Sequence, residues 1–393
     1  MGRAAIPHRP GAERRALPPG AAPAAPAPRA PRHRRRPAPP AAGGGKGVSK
    51  GFSLLEWTSA LVPQGAIVTG AKQGWRLAWQ TMVRELAPQD SGGAYSRPAY
   101  SFDGAIGSPD FPPEAGRYVL YLGNACGWCH RVALALALRG LSGSVRVVAL
   151  RDEPERATRG GWVMPPSGDP VFGARDLWGV YDAASPGFRG RCTAPLLVDA
   201  KSRRAVCNES ASIVRQLDAL QLPGTSRVVL RPEALAGEID ALNEWIYPQI
   251  NNGVYRCGFA TTQAAYDAAA ADVAAGLARA DALLGERRFL AGDRCGGAPA
   301  AWLRDVWQLR VPGGGLQVRD TVDVDACRRS YYSNLFPLNP SGIIPSGPTA
   351  EDLQLDAPHG RGGGAPEEVF WLRPEAEAGG AAAAAAASVR RAV

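Results

Sequence analysis

The chain has 393 residues and a formal net charge of +9, and its length is sufficient for two domains with buried cores. Its seven cysteines are odd in number and scattered, which argues against a secreted disulfide framework and favours a reducing compartment. Apart from an alanine-only tract near residue 380, no apolar run has the length of a membrane-spanning helix, so no membrane span is predicted.

The positive charge is concentrated in residues 1–50, where eleven Lys and Arg residues face one acid, Glu13. This segment is rich in Ala and Pro and lacks apolar periodicity, so it is predicted to be disordered. An Arg-rich, acid-poor start is typical of a transit peptide, and we expect a chloroplast or other organelle, with the cytoplasm as the alternative. A nucleic-acid-binding arm is the rival interpretation. Because no aromatic residues alternate with the arginines, no nucleic-acid partner is expected.

Residues 51–115 are predicted to form an N-terminal extension of mixed structure. Within it, Trp75, Trp79, Met82 and Leu86 have the spacing of one helix face. The stretch 91–113 is rich in Gly, Pro and Ser and predicts a loop.

Residues 116–222 have the element order of a thioredoxin-like α/β domain. The predicted elements are a strand at 117–122, a helix at 127–139, a strand at 145–150, an irregular stretch at 151–190, a hairpin at 194–199 and 205–207, and a helix at 211–220. In such domains the proline that starts the first hairpin strand is often cis and faces a thiol, and Pro195 has that place.

Cys126 and Cys129 lie where the first predicted strand passes into a helix. Unpaired N–H groups and the helix dipole favour an anion at a helix N-terminus, and this lowers a thiol pKa. Cys-x-x-Cys in a strand–helix unit therefore predicts thioredoxin-type redox chemistry. The alternatives are half of a zinc site or two ordinary buried cysteines. With no second cysteine pair at ligand spacing and four histidines in all, no metal is predicted.

Residues 231–350 are predicted to form an all-α domain. A helix over 231–250 places Leu235, Ile239, Leu242 and Ile246 on one stripe. The second stripe, on a helix over 265–284, consists of Tyr266, Ala270, Val273, Leu277 and Leu284. A short helix is expected at 300–309, and residues 363–393 are predicted to be a low-complexity tail.

The order of these two halves resembles the glutathione transferase superfamily, a thioredoxin-like α/β N-terminal domain followed by an all-α C-terminal domain. Four stretches are more specific: Ala-Cys-Gly-Trp-Cys-His-Arg at 125–131, Cys-Asn-Glu-Ser at 207–210, Asn-Asn-Gly-Val-Tyr at 251–255 and Leu-Asn-Pro-Ser-Gly-Ile-Ile-Pro at 338–345. They are similar to the glutathionyl-hydroquinone reductases, the Xi class, and this resemblance extends from about Gly116 to Arg361.

The resemblance implies glutathione-dependent reduction of glutathionyl-hydroquinones through a cysteine–glutathione mixed disulfide. By similarity Cys126 is the nucleophile, Tyr255 the proton donor and Tyr331 a tyrosine that helps to hold the thiolate. Glutathione is the implied co-substrate, glutathionyl-quinones are the implied substrates and no metal is implied. Family members tend to dimerise, so a homodimer is a candidate assembly.

The residues that match the family's glutathione-binding positions are Trp162, Arg191, Cys192, Thr193, Ala194, Pro195, Glu209 and Ser210. Glu209 and Ser210 would bind the γ-glutamyl end, and the backbone at Thr193 and Ala194 would pair with the cysteinyl peptide. Outside this context Glu209 and Ser210 could be only a helix cap, and Tyr255 and Trp162 could be packing residues.

Three departures from the family pattern matter. Gly127 replaces a common proline, and Cys129 replaces a common alanine and is a candidate resolving thiol one helical turn from Cys126. After Arg294 a buried helix with its N-cap has no counterpart, which implies either an exon skipped in the gene model or a degraded paralogue. Two alternative functions therefore stand beside the reductase: a thiol transferase of the glutaredoxin or omega type, and a non-catalytic glutathione- or quinone-binding paralogue.

Overall fold

The computed structural model describes residues 64–153, 156, 161–295, 323–333, 343–346, 351 and 369–373. The predictions for residues 1–63, for the helix at 300–309 and for most of the tail at 363–393 lie outside these residues. From Val68 onward the described residues belong to one compact unit, and every contact given below lies within it. Among the described residues no helix is long and apolar enough to cross a membrane.

A four-stranded sheet forms the thioredoxin-like half. Its strands are β1 (Tyr118–Gly123), β2 (Arg146–Leu150), β3 (Leu196–Asp199) and β4 (Arg204–Cys207), in the order β2-β1-β3-β4. β1 runs parallel to β2 and antiparallel to β3, which pairs antiparallel with β4. Every residue of β1 is buried, because helices cover both faces of the sheet. The predicted thioredoxin-like fold is confirmed.

Four helices precede or flank this sheet: α1 (Gln64–Leu86), α2 (Gly127–Leu138), α3 (Leu177–Ala184) and α4 (Ser210–Ala219). The residues of β1 alternate between two cores. Leu120 packs in the core that α2 and α4 cover, and Tyr121 packs in the core that α3 covers. The helices predicted at 127–139 and 211–220 are confirmed within a residue at each end.

Helix α3 corrects the prediction that residues 151–190 are irregular throughout. The carboxylate of Asp176 accepts the N–H of Gly179 at 2.9 Å and caps the helix. Its buried face consists of Leu177, Val180, Tyr181 and Ala184, the spacing of a helix face. This periodicity is present in the sequence, but eight residues between long loops form a pattern that is easily overlooked.

The helical half contains α5 (Ala236–Ile246), α6 (Gly253–Gly258), α7 (Gln263–Glu286) and α8 (Val324–Ser333). The predicted helix at 231–250 is shorter than expected. A 3-10 turn at Glu233–Leu235 precedes α5, and a π-helical turn at Tyr247–Asn251 follows it. Pro248 lies in this turn and has no N–H to donate, which accounts for the break in the α-helical hydrogen bonding.

The first predicted stripe is confirmed, because Ile239, Leu242 and Ile246 are all buried. The second was wrong in part: Tyr266 and Leu277 are 47% and 54% exposed. Helix α7 instead buries its small residues Ala269, Gly276 and Ala280. A Cβ atom at Gly276 would lie 2.9 Å from Ile250, so the small side chain permits a close approach between α7 and the π-helical turn. A count of apolar residues did not detect that small residues form the buried face of α7.

A buried arginine joins α2 to the rest of the fold. Arg139 is fully buried at the end of α2 and donates hydrogen bonds to the carbonyl oxygens of Leu220 (3.2 Å), Ser226 (2.6 Å) and Val228. Its guanidinium also lies 3.6 Å from the Asp218 carboxylate. Val228 begins β5 (Val228–Val229), which pairs antiparallel with β6 (Trp371–Leu372). Arg139 thus holds α2, α4 and the small second sheet together.

Candidate active site

Cys126 lies at the N-terminus of α2 and is itself the cap of that helix. Its backbone is extended (φ −105°, ψ 110°), and its sulfur accepts the N–H of Cys129 at 3.4 Å. The same sulfur lies 3.7 Å from the carbonyl oxygen of Ala194. The Ala194–Pro195 peptide bond is cis, as predicted. The strand–helix junction therefore holds Cys126 opposite the start of β3.

The two cysteines of the Cys-x-x-Cys stretch have opposite protonation preferences. The pKa of Cys126 lies below its ordinary value because the Cys129 side chain donates to it, and the N–H groups of Cys129 and Trp128 and the charge of Arg131 contribute further. Burial raises the pKa of Cys129 well above its ordinary value, and the neighbouring Cys126 adds to this. Cys129 is 1% exposed. Cys126 is thus the more readily ionised of the two thiols, and Cys129 is a hydrogen-bond donor to it.

Tyr255 approaches this centre from α6. Its hydroxyl oxygen accepts the indole N–H of Trp128 at 3.0 Å, and the centroids of the two rings lie 6.2 Å apart. Burial raises the pKa of Tyr255, and the charge of Cys126 raises it further. The structure therefore brings Tyr255 close enough to Cys126 for an electrostatic interaction, and Tyr255 also contacts Trp128, one of the two residues between the cysteines.

Helix α8 brings Tyr331 to the same side of the site. Cys327 on this helix lies 3.2 Å from the carbonyl oxygen of Asn124, and Ser330 lies 3.1 Å from the Asp152 carboxylate. Tyr331 acts electrostatically on Tyr255 and raises its pKa, but its own side chain is 51% exposed. Among the contacts of the described residues, none is a hydrogen bond from Tyr331 to Cys126.

Glu209 and Ser210 lie beside α2 at the start of α4. The carboxylate of Glu209 accepts the N–H groups of Ala211 (2.8 Å) and Ser212 (2.6 Å), so the helix-cap interpretation is confirmed. Arg131, on α2, donates to the hydroxyl oxygen of Ser210 at 3.0 Å and lies 3.4 Å from Glu209. Capping does not exclude binding, because a carboxylate oxygen has two lone pairs and the Ser210 O–H is still a donor.

The remaining predicted binding residues fall into different environments. The ring of Trp162 packs on Gly123 at the end of β1 so closely that a Cβ atom there would lie 2.5 Å from it. The carbonyl oxygen of Thr193 accepts the Tyr181 hydroxyl at 2.7 Å, and its N–H donates to the Arg191 carbonyl at 3.1 Å. The backbone of Thr193 is therefore engaged within the protein, whereas the Ala194 carbonyl faces Cys126.

The predicted binding residues Arg191 and Cys192 lie just before β3 and differ in their exposure. Arg191 is exposed, and Cys192 is partly buried against the core beneath α3. No group of three or more His, Cys, Asp or Glu residues suited to a metal ion occurs in the part of the chain that the structure describes.

Two arginines that the sequence did not single out enclose Trp128. The guanidinium carbon of Arg131 lies 4.8 Å from the centroid of this ring, and that of Arg97 lies 5.0 Å from it. Arg131 belongs to the stretch 125–131, so its position there was a usable signal. Arg97 lies in the predicted loop at 91–113, and local sequence does not connect it with a residue thirty positions later.

Comparison with known proteins places the chain in a family. Residues 125–220 match the model of the "Glutathione S-transferase, N-terminal domain". The chain is 34% identical over 319 residues to glutathionyl-hydroquinone reductase YqjG of Escherichia coli, covering 70% of this chain and 94% of the relative. It is 33% identical over 318 residues to glutathionyl-hydroquinone reductase PcpF of Sphingobium chlorophenolicum, covering 72% and 96%.

The glutathione-bound structure of YqjG superposes with a TM-score of 0.57 at 32% identity, covering 69% of this chain and 98% of that one. The alignment with YqjG has 319 positions, but it includes only 70% of the 393 residues of this chain, which is about 275 residues. Part of that alignment therefore has no counterpart in this chain. This agrees with an internally shortened chain. With its relatives covered over almost their whole length, the chain belongs to the glutathionyl-hydroquinone reductase family, the Xi class of glutathione transferases.

Proposed function

We propose that this protein reduces glutathionyl-hydroquinones with glutathione, and that Cys126 is the nucleophile. The observation that carries the proposal is the cap geometry of Cys126, whose sulfur accepts an N–H at the start of α2 and whose pKa is lowered. A thiolate is the reactive form in thiol–disulfide chemistry, and a capped thiolate is present at neutral pH in a larger fraction than a free thiol.

In the first step the Cys126 thiolate attacks the sulfur of the glutathionyl group. A sulfur–sulfur bond forms, and the bond between sulfur and the aromatic ring carbon breaks. The electron pair of the broken bond goes to that carbon, which takes a proton from Tyr255. The products are the free hydroquinone, a Cys126–glutathione mixed disulfide and a Tyr255 phenolate.

In the second step the thiolate of another glutathione attacks the glutathione sulfur of the mixed disulfide. Glutathione disulfide leaves, and Cys126 returns as a thiolate. The proton that the incoming thiol releases restores the Tyr255 phenol. One glutathionyl-hydroquinone and one glutathione are thereby converted into one hydroquinone and one glutathione disulfide.

Glutathione would lie along the start of β3 and the start of α4. The Ala194 carbonyl, opposite the Cys126 sulfur, is suited to accept the N–H of the cysteinyl residue. Because Arg131 donates to the oxygen of Ser210, the Ser210 O–H is oriented away from it and can donate to the γ-glutamyl carboxylate. Trp162 would form the wall beside Gly123.

The test uses the full chain with a glutathionyl-naphthohydroquinone and glutathione, and follows the release of hydroquinone. We expect Cys126→Ser to lower turnover on the order of a thousandfold or more, since it removes the covalent step. Cys257→Ser, a substitution of a half-buried cysteine on α6, is the matched control and should retain turnover. Turnover that survives in Cys126→Ser contradicts the mechanism. Glutathione binding without turnover in the parent protein favours the non-catalytic paralogue.

A second candidate function is a dithiol thiol transfer, which the contact between the side chains of Cys126 and Cys129 favours. Here Cys129 would attack the mixed disulfide, release glutathione and leave a Cys126–Cys129 disulfide. Burial and a raised pKa make Cys129 a slow nucleophile, so this route ranks second. If Cys129→Ser and the parent protein reduce a glutathionylated peptide at equal rates, the dithiol route is excluded.

A further inference from the structure

Arg97 is a half-buried cation of the N-terminal extension to which no role has been assigned so far. Its Nε–H donates to the side-chain oxygen of Asn252 at 2.7 Å. Its guanidinium carbon lies 4.7 Å from the centroid of the Tyr255 ring and 5.0 Å from that of Trp128. The Nη2 atom is buried and has no hydrogen-bond partner in the described structure. A buried donor atom without a hydrogen-bond partner costs free energy, so this Nη2 atom needs an explanation.

We infer that Arg97 is a positioning residue for proton donation by Tyr255: it orients the phenol through Asn252 and Trp128 and stabilises the phenolate that remains after the proton has left. The inference rests on the proposed function, in which Tyr255 gives its proton to the ring carbon of the hydroquinone. The neutral phenol interacts with Arg97 only through its ring, whereas the phenolate carries a full negative charge. The interaction therefore strengthens as the proton is transferred.

Arg97 is connected to the Tyr255 phenol by contacts with Asn252 and Trp128. Asn252 lies directly before α6, the helix that carries Tyr255, and accepts the Arg97 hydrogen bond. On the other side of the phenol, Trp128 donates its indole N–H to the Tyr255 hydroxyl oxygen. That hydroxyl therefore accepts from Trp128 and keeps its own hydrogen available for donation. Arg97 packs against both rings and limits their movement.

The charges around Tyr255 show why a cation is needed there. Burial and the charge of Cys126 on α2 raise the pKa of this phenol, and Tyr331 on α8 raises it further. The Trp128 hydrogen bond and Arg97 both lower it. Arg256, the neighbouring cation on α6, is paired with Asp272 at 2.7 Å. Without Arg97, the pKa of Tyr255 would be higher, and the phenol would be a weaker acid.

The test compares Arg97→Met, which keeps the length and removes the charge, with Arg97→Lys, which keeps the charge and loses the planar contact. Arg279→Met is the matched control, because Arg279 lies 4.4 Å from the centroid of the Trp245 ring in a different part of the molecule. Tyr255 is titrated in each protein by the ultraviolet absorbance of its phenolate, as the difference from the same protein with Tyr255→Phe. This difference removes the other phenols near Arg97, which include Tyr100 and Tyr95.

We expect Arg97→Met to raise the pKa of Tyr255 by about one unit, and Arg97→Lys to keep most of the parent value. In turnover, the alkaline limb of the kcat profile should move upward with Arg97→Met, and kcat should fall by about threefold to tenfold. The pH dependence of Cys126 alkylation should stay in place, and Arg279→Met should match the parent protein.

An unchanged Tyr255 titration in Arg97→Met overturns the inference, as does an equal loss of kcat in both variants without any shift of the alkaline limb. A parent protein without reductase turnover refutes the proposed function instead. The titration still measures the influence of Arg97 on Tyr255 in that case, so the two failures are distinguishable.

Discussion

Cys129 donates a hydrogen bond to Cys126, and removal of this donor should raise the pKa of Cys126. Cys129→Ala removes the side-chain hydrogen bond that contributes most to the low pKa of Cys126, while the backbone N–H groups of Trp128 and Cys129 stay in place. A hydrogen bond to a charged group contributes about 1.5–3 kcal/mol, and a thiol, as a weak donor, belongs at the lower end. Since about 1.4 kcal/mol corresponds to one pKa unit, the pKa of Cys126 should rise by about one unit.

The sign of the pH effect follows from the thiolate being the reactive form. With a higher pKa, the pH midpoint of Cys126 alkylation moves to more alkaline pH by about one unit, and well below that midpoint the rate falls about tenfold. At high pH, where every Cys126 is ionised, the rates of parent and variant should converge. The measurement is alkylation by iodoacetamide across a pH series, followed at the Cys126 peptide by mass spectrometry.

Two variants complete the test. Cys129→Ser retains a donor at the same position and should keep the midpoint near that of the parent protein. Cys295→Ala removes another, partly buried thiol, whose pKa burial raises to about 12, and should leave the midpoint unchanged. A midpoint that stays in place or moves to lower pH in Cys129→Ala would show that Cys129 is not the donor that sustains the thiolate.

Three further predictions concern stability, binding and location. Arg139→Met should lower the free energy of unfolding by about 3–5 kcal/mol in denaturant titrations, because the carbonyl oxygens of Leu220 and Ser226 and the carboxylate of Asp218 lose a buried partner. The exposed ion pair of Arg204 with Asp110 is the control, and Arg204→Met should lower the free energy of unfolding by less than about 1 kcal/mol. Gly123→Ala should displace the Trp162 ring and weaken glutathione binding in calorimetry, whereas Gly127→Ala, which meets no atom within 4 Å, should not. A reporter fused behind residues 1–50 should enter an organelle, and a cytosolic reporter would contradict the transit-peptide prediction.

The sequence could predict the elements whose signals are local. The apolar run before Cys126, the cysteine at the helix start and the proline at 195 each predict a feature that the structure contains. Which face of α7 is buried could not be predicted in this way. The buried face carries the small residues Gly276 and Ala280, and at Gly276 the neighbouring residues approach too closely for a larger side chain. Periodicity counts apolar side chains and does not detect a close approach.

The site residues likewise differ in whether local sequence could predict them. The position of Cys126 at a helix start could be predicted from the local sequence, whereas the roles proposed for Tyr255 and Tyr331 rest on resemblance to a family. The enclosure of Trp128 by Arg97 and Arg131 could not be predicted, since it depends on how residues 97, 128 and 131 are brought together in three dimensions. Contacts of this kind have no local sequence signature.

The cap of α2 affects the relative stability of the free thiolate and the disulfide-bonded form of Cys126. The atom that caps the helix is also the atom proposed to react, and the helix dipole stabilises this sulfur when it carries negative charge. Any group that bonds to this sulfur removes the charge and leaves the first N–H groups of the helix with a weaker acceptor. The fold therefore favours the reduced form over the glutathionylated one and makes Cys126 a good leaving group. In the proposed mechanism, helix capping, which usually serves stability alone, would also favour the release of glutathione disulfide and the return of the protein to its starting state.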